Sequence, residues 1–397
     1  MKIAIATYDM LPEKAHLMPW RTLCEVVSHA NSFNTAALLI NLVDTNSWSY
    51  QDDDYDIDLA FANKSKSQLL DSVNRQIKQH GIDVIYWPIS WREPGWRINL
   101  LAHLDAEVVV YFPGGVYGLA SSLYAMHKLG FKTALPYLRD SLVNKQKFLA
   151  RLKRSGIKKI IGLTALTTNT VISSGWGSQQ AHFISLAKDQ SSVSDELSEL
   201  PSAFSSWLKN SPYYLFMGPP SGIRGIYELL KAFEKAASTN QDIKLVCLFR
   251  SDGELDKKNI KKIIDGSEFK HRIYSVWDSV TRPELNAYMS AAHAITMPFV
   301  LVPSEVPLAI IEAMRFHKPI IATSPGGTGH FVEQFGIAPK VGDINGLSDA
   351  LLKLAEDKDY YQRTSEAVKT NYASLPSWQS MSEGWIKVGN ELVRGRV

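Results

Sequence analysis

Two side chains in this sequence are suited to a phosphorylated ligand, Arg224 and Glu312. Arg224 closes the segment Gly218-Pro219-Pro220-Ser221-Gly222-Ile223-Arg224-Gly225, which directly follows the apolar run Tyr213–Met217 and precedes an amphipathic pattern from Ile226 to Ala237. Glycines after a strand let backbone approach a phosphate, and the helix that follows offers its positive N-terminus. A guanidinium there adds a fixed charge with a fork that matches phosphate oxygens. An ordinary strand-to-helix turn has the same composition. No Gly-Lys-Ser/Thr follows and Gly-x-Gly-x-x-Gly spacing is missing, which argues against a Walker loop and a dinucleotide cofactor. Glu312 is the one carboxylate in the apolar helical run Leu308–Phe316. Pro303-Ser304-Glu305-Val306-Pro307 turns into that helix, and Lys318-Pro319 stops it. A strand at Ile320–Thr323 and the turn Pro325-Gly326-Gly327-Thr328-Gly329 come next. Such loops at strand ends are where an open α/β sheet places a ligand. The plainer reading of Glu312 is a helix-edge carboxylate that pairs with a cation.

The elements that must position these residues read as α/β. In the first half, runs at Lys2–Ala6, Ala36–Leu42, Val84–Trp87, Glu107–Phe112, Lys132–Tyr137 and Lys159–Leu163 predict strands, and Ser67–His80 and Leu119–Leu129 predict helices. Residues 46–58 and the Trp- and Arg-rich 88–97 read as loops. A polar, Ser-rich stretch from Lys188 predicts a linker with one short helix, and a second α/β series begins at Tyr213. That series has strands at Lys244–Phe249, Arg272–Val276 and Ala294–Met297 and helices at Glu284–Ala292 and Leu347–Glu356. The tail from Gln379 reads as a helix with Trp385 and Val388 on its apolar side. The domains are thus 1–190, a linker at 191–212, 213–376, and a return helix at 377–397.

The 397 residues fit two or three domains, and 45% hydrophobic with 21% charged content supports buried cores. A net charge of +3 is too small to make nucleic acid the main partner. Cys24 and Cys247 sit in apolar settings and read as buried thiols of a reducing cytoplasm. The N-terminal apolar run is too short for a signal peptide. Scattered histidines and the lack of a Cys cluster predict no metal site, and with the dinucleotide spacing missing no bound cofactor is expected. In the first half, Gly114 and Gly115 follow a strand and open a helix, where they line a ligand cleft or form a plain turn. His16, in the loop after the first strand, reaches that cleft or sits on the surface. Residues 144–159 carry seven Lys/Arg around Phe148, Leu149 and Leu152. That pattern suits peripheral contact with an anionic membrane, which Trp91, Trp96 and Arg97 would assist, or a solvated basic helix packed by its apolar stripe.

The segments MGPPSGIRGIYELLKAFEKA, KLVCLF, NAYMSAAHAITMPF, SEVPLAIIEAM, HKPIIATSPGG and VGDINGLSDAL, in that order from Tyr213 to Glu356, resemble the C-terminal half of a retaining GT-B glycosyltransferase of the group 1 family. The resemblance implies two Rossmann-like parallel-sheet domains facing across a cleft. The first would hold the acceptor, a glycan or lipid-linked sugar, and the second a UDP- or GDP-sugar donor as co-substrate. It implies transfer with retention, without a metal, in polysaccharide or glycoconjugate synthesis at the cytoplasmic side of a membrane. Gly218, Gly222 and Arg224 would hold the diphosphate. Pro219 stands where the family often has Arg, and Arg250 would supply that second charge. Glu312 would bind the ribose hydroxyls. Ser304 occupies the place of the family's first motif Glu, with Glu305 beside it to reach the sugar and Leu308 as a backbone donor. Gly326 and Gly327 match the family's Gly-Gly turn, after which His330 replaces its Glu. Arg139 lies where the family places a His near the reacting centre, so Arg224, Glu305 and Arg139 are the catalytic candidates. The substitutions Pro219, Ser304 and His330 leave open an alternative: a non-catalytic GT-B protein that binds nucleotide or scaffolds a partner glycosyltransferase.

Overall fold

A computed structural model describes residues 1–7, 20–41, 66–188, 198–209, 211–250, 256–302 and 304–395. His16, the loop at 46–58 and part of the predicted linker lie outside them. In chain order the elements are β1 (Lys2–Thr7), α1 (Trp20–Ala30), β2 (Ala36–Asn41), α2 (Lys66–His80), β3 (Val84–Pro88), α3 (Gly95–Leu101), β4 (Glu107–Phe112), α4 (Leu119–Leu129), α5 (Phe131–Leu142), α6 (Lys145–Arg154), β5 (Lys159–Gly162), α7 (Ala165–Ser173) and β6 (Ala181–Phe183). The second series is α8 (Ser202–Leu208), β7 (Tyr213–Gly218), α9 (Ile226–Thr239), β8 (Lys244–Phe249), α10 (Lys257–Gly266), β9 (Ile273–Val276), α11 (Arg282–Ala291), β10 (Ala294–Met297), α12 (Leu308–Met314), β11 (Ile320–Ala322), α13 (Gly327–Val332), α14 (Ile344–Glu356), α15 (Lys358–Ser374) and α16 (Trp378–Arg394).

The chain divides into two compact units, residues 1–116, 142–189 and 375–397, and residues 117–141 and 190–374. Residues 117–141 therefore group with the second unit, whereas the sequence placed them in the first domain. Among the described residues the first unit holds a parallel sheet in the order β2-β1-β3-β4-β5-β6. Its strands read as unbroken apolar runs because helices cover both faces of such a sheet. The apolar side chains Phe148, Leu149 and Leu152 of α6 belong to this core, together with Trp91, which stacks on Phe112 at 4.3 Å. The apolar stripe of 144–159 is thus spent on the fold, and Trp91 is buried where the sequence left it on a surface loop. Helix α16 packs on the same unit. Tyr86 of β3 donates to the Trp385 carbonyl at 2.5 Å, and Ser382 donates to the Glu25 carbonyl of α1 at 3.1 Å.

One junction in this unit is expected to give acid sensitivity. Lys159 of β5 donates to Glu391 of α16 at 2.6 Å and lies 3.2 Å from Nε2 of His182 on β6. Burial, then the Lys159 charge, lowers the His182 pKa, and the hydrogen bond from Lys159 lowers that of Glu391. A depressed histidine favours folding while neutral, so its contribution is complete above the unfolded value of 6.5 and falls as the pH drops below it. Glu391 contributes above its unfolded value of 4.5 and loses that contribution as the pH falls through its lower folded value. His182→Gln is expected to flatten the dependence of the melting temperature on pH between about pH 7.5 and 5.5, the window set by the histidine. An unchanged slope in thermal melts would remove His182 as its source.

The second unit has a parallel sheet in the order β11-β10-β7-β8-β9 among the described residues. The strand order reverses between β7 and β10, the switch point where an open α/β sheet leaves a crevice at its carboxyl edge. Apolar residues of α9 and α14, Phe233 and Leu351 among them, close one face. Phe204 of α8 sits fully buried amid Tyr213, Tyr274 and Tyr288. Cys24 and Cys247 are both buried thiols, and burial raises the Cys247 pKa well above its usual range.

The predicted strand at Lys132–Tyr137 is part of α5 instead. Phe131, Leu135, Leu138 and Leu142 repeat at helical spacing, and the helix accommodates Pro136 at the cost of one intrahelical bond. Arg139 therefore sits on an exposed helical turn, not at a strand end. The turn expected at Pro325–Gly329 also becomes mostly helix, since only Pro325 and Gly326 precede α13.

Candidate nucleotide site

The loops that leave β7 and β10 cross at the switch point and are tied backbone to backbone. Val300 and Leu301 both donate to the Ile223 carbonyl, at 2.9 and 3.2 Å. The crossing needs glycine at 225: its φ is +75°, and a Cβ there would lie 1.6 Å from the Pro298 carbonyl oxygen. This turn delivers Arg224, half-buried, with its guanidinium 5.4 Å from the centre of the Phe299 ring. Thr323 of the β11 end donates to the Phe299 carbonyl and so holds the ring's own backbone.

Beside this crossing lies a cavity of about 180 Å³ at the carboxyl ends of β7, β8 and β9. Met217, Gly218, Pro219 and Arg224 line it from the first loop, and Leu248, Phe249 and Arg250 from β8. Asp278, Ser279 and Val280 follow β9, Leu285 comes from α11, and Phe299, Ala309 and Glu312 complete the wall. Two guanidiniums and two carboxylates thus share one pocket with a largely apolar floor. Trp277 stacks on Phe249 at 4.4 Å behind that floor and fixes the aromatic wall. Glu312 accepts a hydrogen bond from Nη1 of Arg282 at 3.1 Å. The capping box of α11 fixes the origin of Arg282: Glu284 accepts from the Thr281 amide at 2.7 Å, and Thr281 caps the Glu284 amide. That hydrogen bonding lowers the Glu284 pKa and keeps the cap charged.

Gly218, Arg224, Arg250 and Glu312 are therefore brought together. Gly222 is not: its amide donates to Asp256 at 2.8 Å, and a Cβ there would press on Leu129 and Tyr227. It serves packing where a phosphate cradle was expected, because the carboxylate already takes its N–H. Burial, then the Asp256 charge, pushes the neighbouring Tyr227 pKa up to about 12, so this phenol stays protonated. Ser304 and Glu305 are buried and stand outside the pocket lining. Thr328 of α13 donates to the Glu305 carbonyl at 3.0 Å, which joins the loop before α12 to the Gly326-Gly327 turn. Gly326 precedes α13 with φ +62°, a conformation that favours glycine. Leu308 starts α12, one turn before Glu312. Arg139 does not line this pocket, and Gly114 and Gly115 lie in the first unit. Among the described residues no group of three His, Cys, Asp or Glu is arranged to hold a metal ion.

Phe299, Arg282 and the 278–280 loop were missed by sequence reasoning. The signal for Arg282 was present: Thr281-Arg282-Pro283-Glu284 is a capping box with proline in the first turn, so Arg282 had to start a helix at a strand's carboxyl edge.

No curated protein sequence matches the chain. Among solved structures, a glycosyltransferase from Rickettsia africae superposes with a TM-score of 0.68 at 14% identity, over 99% of this chain and 98% of that one. Anabaena HepE in complex with UDP-glucose gives 0.62 at 15% identity, over 99% and 100%. An α,α-trehalose 6-phosphate synthase from Burkholderia multivorans gives 0.66 at 10%, over 100% and 99%. The family model for Glycosyl transferases group 1 matches residues 211–357, the stretch that contains every pocket residue. The chain has the GT-B fold, and its residues 211–357 match the model of the group 1 glycosyltransferase family.

Proposed function

We propose that the protein is a retaining glycosyltransferase that takes its sugar from a nucleoside diphosphate sugar bound in the second unit. The observation that carries this reading is the joint presence of Arg224, Arg250 and Glu312 on one cavity at the switch point. The guanidiniums suit the two phosphates, the carboxylate suits ribose hydroxyls, and the Phe249 and Val280 walls suit a base. Structural neighbours bound to UDP or UDP-glucose support a uridine nucleotide as the first candidate.

In the reaction the acceptor hydroxyl attacks the anomeric carbon while the bond from that carbon to the β-phosphate oxygen breaks. The departing diphosphate gains negative charge, which Arg224 and Arg250 stabilise where they already stand. The acceptor proton passes to the released phosphate on the same face of the sugar. The charge is met by guanidiniums, so transfer proceeds without a metal, and a chelator is expected to leave the rate unchanged. The acceptor is a glycan or a lipid-linked sugar. Contact of 144–159 with an anionic membrane would be electrostatic alone, since its apolar face is in the core. No described helix is long and apolar enough to cross a membrane.

The test is calorimetric binding of UDP and GDP followed by transfer and hydrolysis assays with their sugars. Glu312→Ala is expected to weaken nucleotide binding by about 10- to 100-fold, the scale of losing a hydrogen bond to a charged group. Equal affinity in that variant would remove the ribose assignment. The burial of Glu305 outside the pocket favours a second reading, a nucleotide-binding protein without turnover. Tight binding with neither transfer nor hydrolysis over a broad panel of sugars would select it.

A further inference from the structure

We propose that Arg282 is a positioning residue that holds the Glu312 carboxylate for ribose, and so sets the preference of the site for ribonucleotides over deoxyribonucleotides. The inference rests on the nucleotide reading of the pocket and adds to it a residue that does not itself line the cavity. Arg282 donates through Nη1 to Oε1 of Glu312 at 3.1 Å, which orients the carboxylate and leaves Oε2 to accept from a ligand hydroxyl. Glu312 is the acceptor that lines the pocket, and its side chain is 23% exposed against 44% for Arg282, so the cation lies on the outer side. Arg282 is the first residue of α11, and the capping box through Thr281 and Glu284 fixes where it starts. The three residues before Thr281 line the same pocket, so the loop that contacts the ligand also anchors the side chain that aims Glu312.

An unanchored glutamate on a helix edge samples several rotamers, and ordering it on binding costs affinity. With Arg282 in place that ordering precedes the ligand. The benefit reaches only ligands with a hydroxyl for Oε2, so loss of Arg282 lowers affinity for a ribonucleotide and leaves a deoxyribonucleotide nearly unaffected. A purely structural part in α11 would weaken both alike.

The experiment is calorimetry with UDP and GDP and with the 2′-deoxy and 3′-deoxy forms of whichever binds. It uses wild type, Arg282→Ala, Arg282→Gln and Arg282→Lys, each checked by thermal melting. Wild type is expected to prefer the ribonucleotide over at least one deoxy form by about 10-fold or more, the scale of one hydrogen bond to a charged group. In Arg282→Ala and Arg282→Gln that ratio should fall to about 2 or less, with the loss in the ribonucleotide arm. Arg282→Lys should recover part of it, because the charge returns without the fork. An unchanged ratio in the alanine and glutamine variants overturns the positioning role while nucleotide binding stands. Equal weakening of both nucleotides overturns it as well. Failure of wild type to bind either nucleotide overturns the functional reading and this inference together.

Discussion

Replacing Arg224 with alanine is expected to lower sugar transfer by about two to three orders of magnitude, the usual scale for removing one preorganised stabiliser of developing charge. The side chain already has a partner in the protein without any ligand. Its backbone sits in the Ser221–Gly225 turn, where the Arg224 amide donates to the Ser221 carbonyl at 2.9 Å, and its guanidinium lies over the Phe299 ring. The loss should fall on kcat more than on KM, because the charge on the diphosphate grows as the sugar departs. Arg224→Lys should recover part of the rate, since a point charge returns but the planar fork does not. The melting temperature should hardly move, for the aromatic contact of a half-buried guanidinium is worth only about 0.5–2 kcal/mol. Steady-state kinetics of the three proteins check this, and equal rates for alanine and wild type would take Arg224 out of leaving-group stabilisation.

The second large effect concerns the backbone. Gly225→Ala is expected to destabilise the second unit by roughly 2–5 kcal/mol, from a left-handed conformation forced on a Cβ and from overpacking. The φ of +75° alone would cost a little, but the new methyl would also lie 1.6 Å from the Pro298 oxygen. Either that carbonyl moves, and with it Phe299, or the Arg224 turn withdraws. Activity should therefore fall even in molecules that stay folded. Gly81→Ala is the control, because Gly81 has φ +61° and nothing within 4 Å of its would-be Cβ. Urea unfolding of both variants separates the conformational cost from the clash. Equal losses would mean that the loop crossing does not need the space.

The parallel architecture, and the convergence of Arg224, Arg250 and Glu312 on one cavity, were legible because they rest on local patterns. Ile226–Ala237 declares α9 by its periodicity, and Lys244–Phe249 declares β8 by an unbroken apolar run between polar residues. Arg224, Arg250 and Glu312 were legible because strand-end loops converge on one edge of any such sheet. What failed depended on tertiary partners. Gly222 carries the composition of a phosphate loop, but Asp256, 34 positions later, takes its amide. The segment 131–142 mixes a threonine, a proline and aromatics that suit either element, and only packing decided for helix. Trp91 lies in a Pro- and Gly-rich stretch that reads as surface, yet Phe112 and Phe148 from other elements enclose it. The Arg282–Glu312 pair spans 30 residues, and no local rule specifies its geometry.

The contact between α16 and α1 has a consequence for biogenesis. Ser382 and Glu25, joined by one hydrogen bond, are 357 residues apart in the chain. The sheet of the first unit emerges from the ribosome early, but the helix that covers Tyr86 and Tyr111 is made only after the whole of the second sheet. During that interval the nascent first unit exposes an apolar strip that α16 will later bury. Domains complete vectorially when their residues are contiguous, and here they are not. The last docking step closes a very long loop, which slows it and leaves the strip open to chaperones or to misassociation. A released chain truncated before Trp378 should therefore have a second unit that is protected from protease and a first unit that is cleaved.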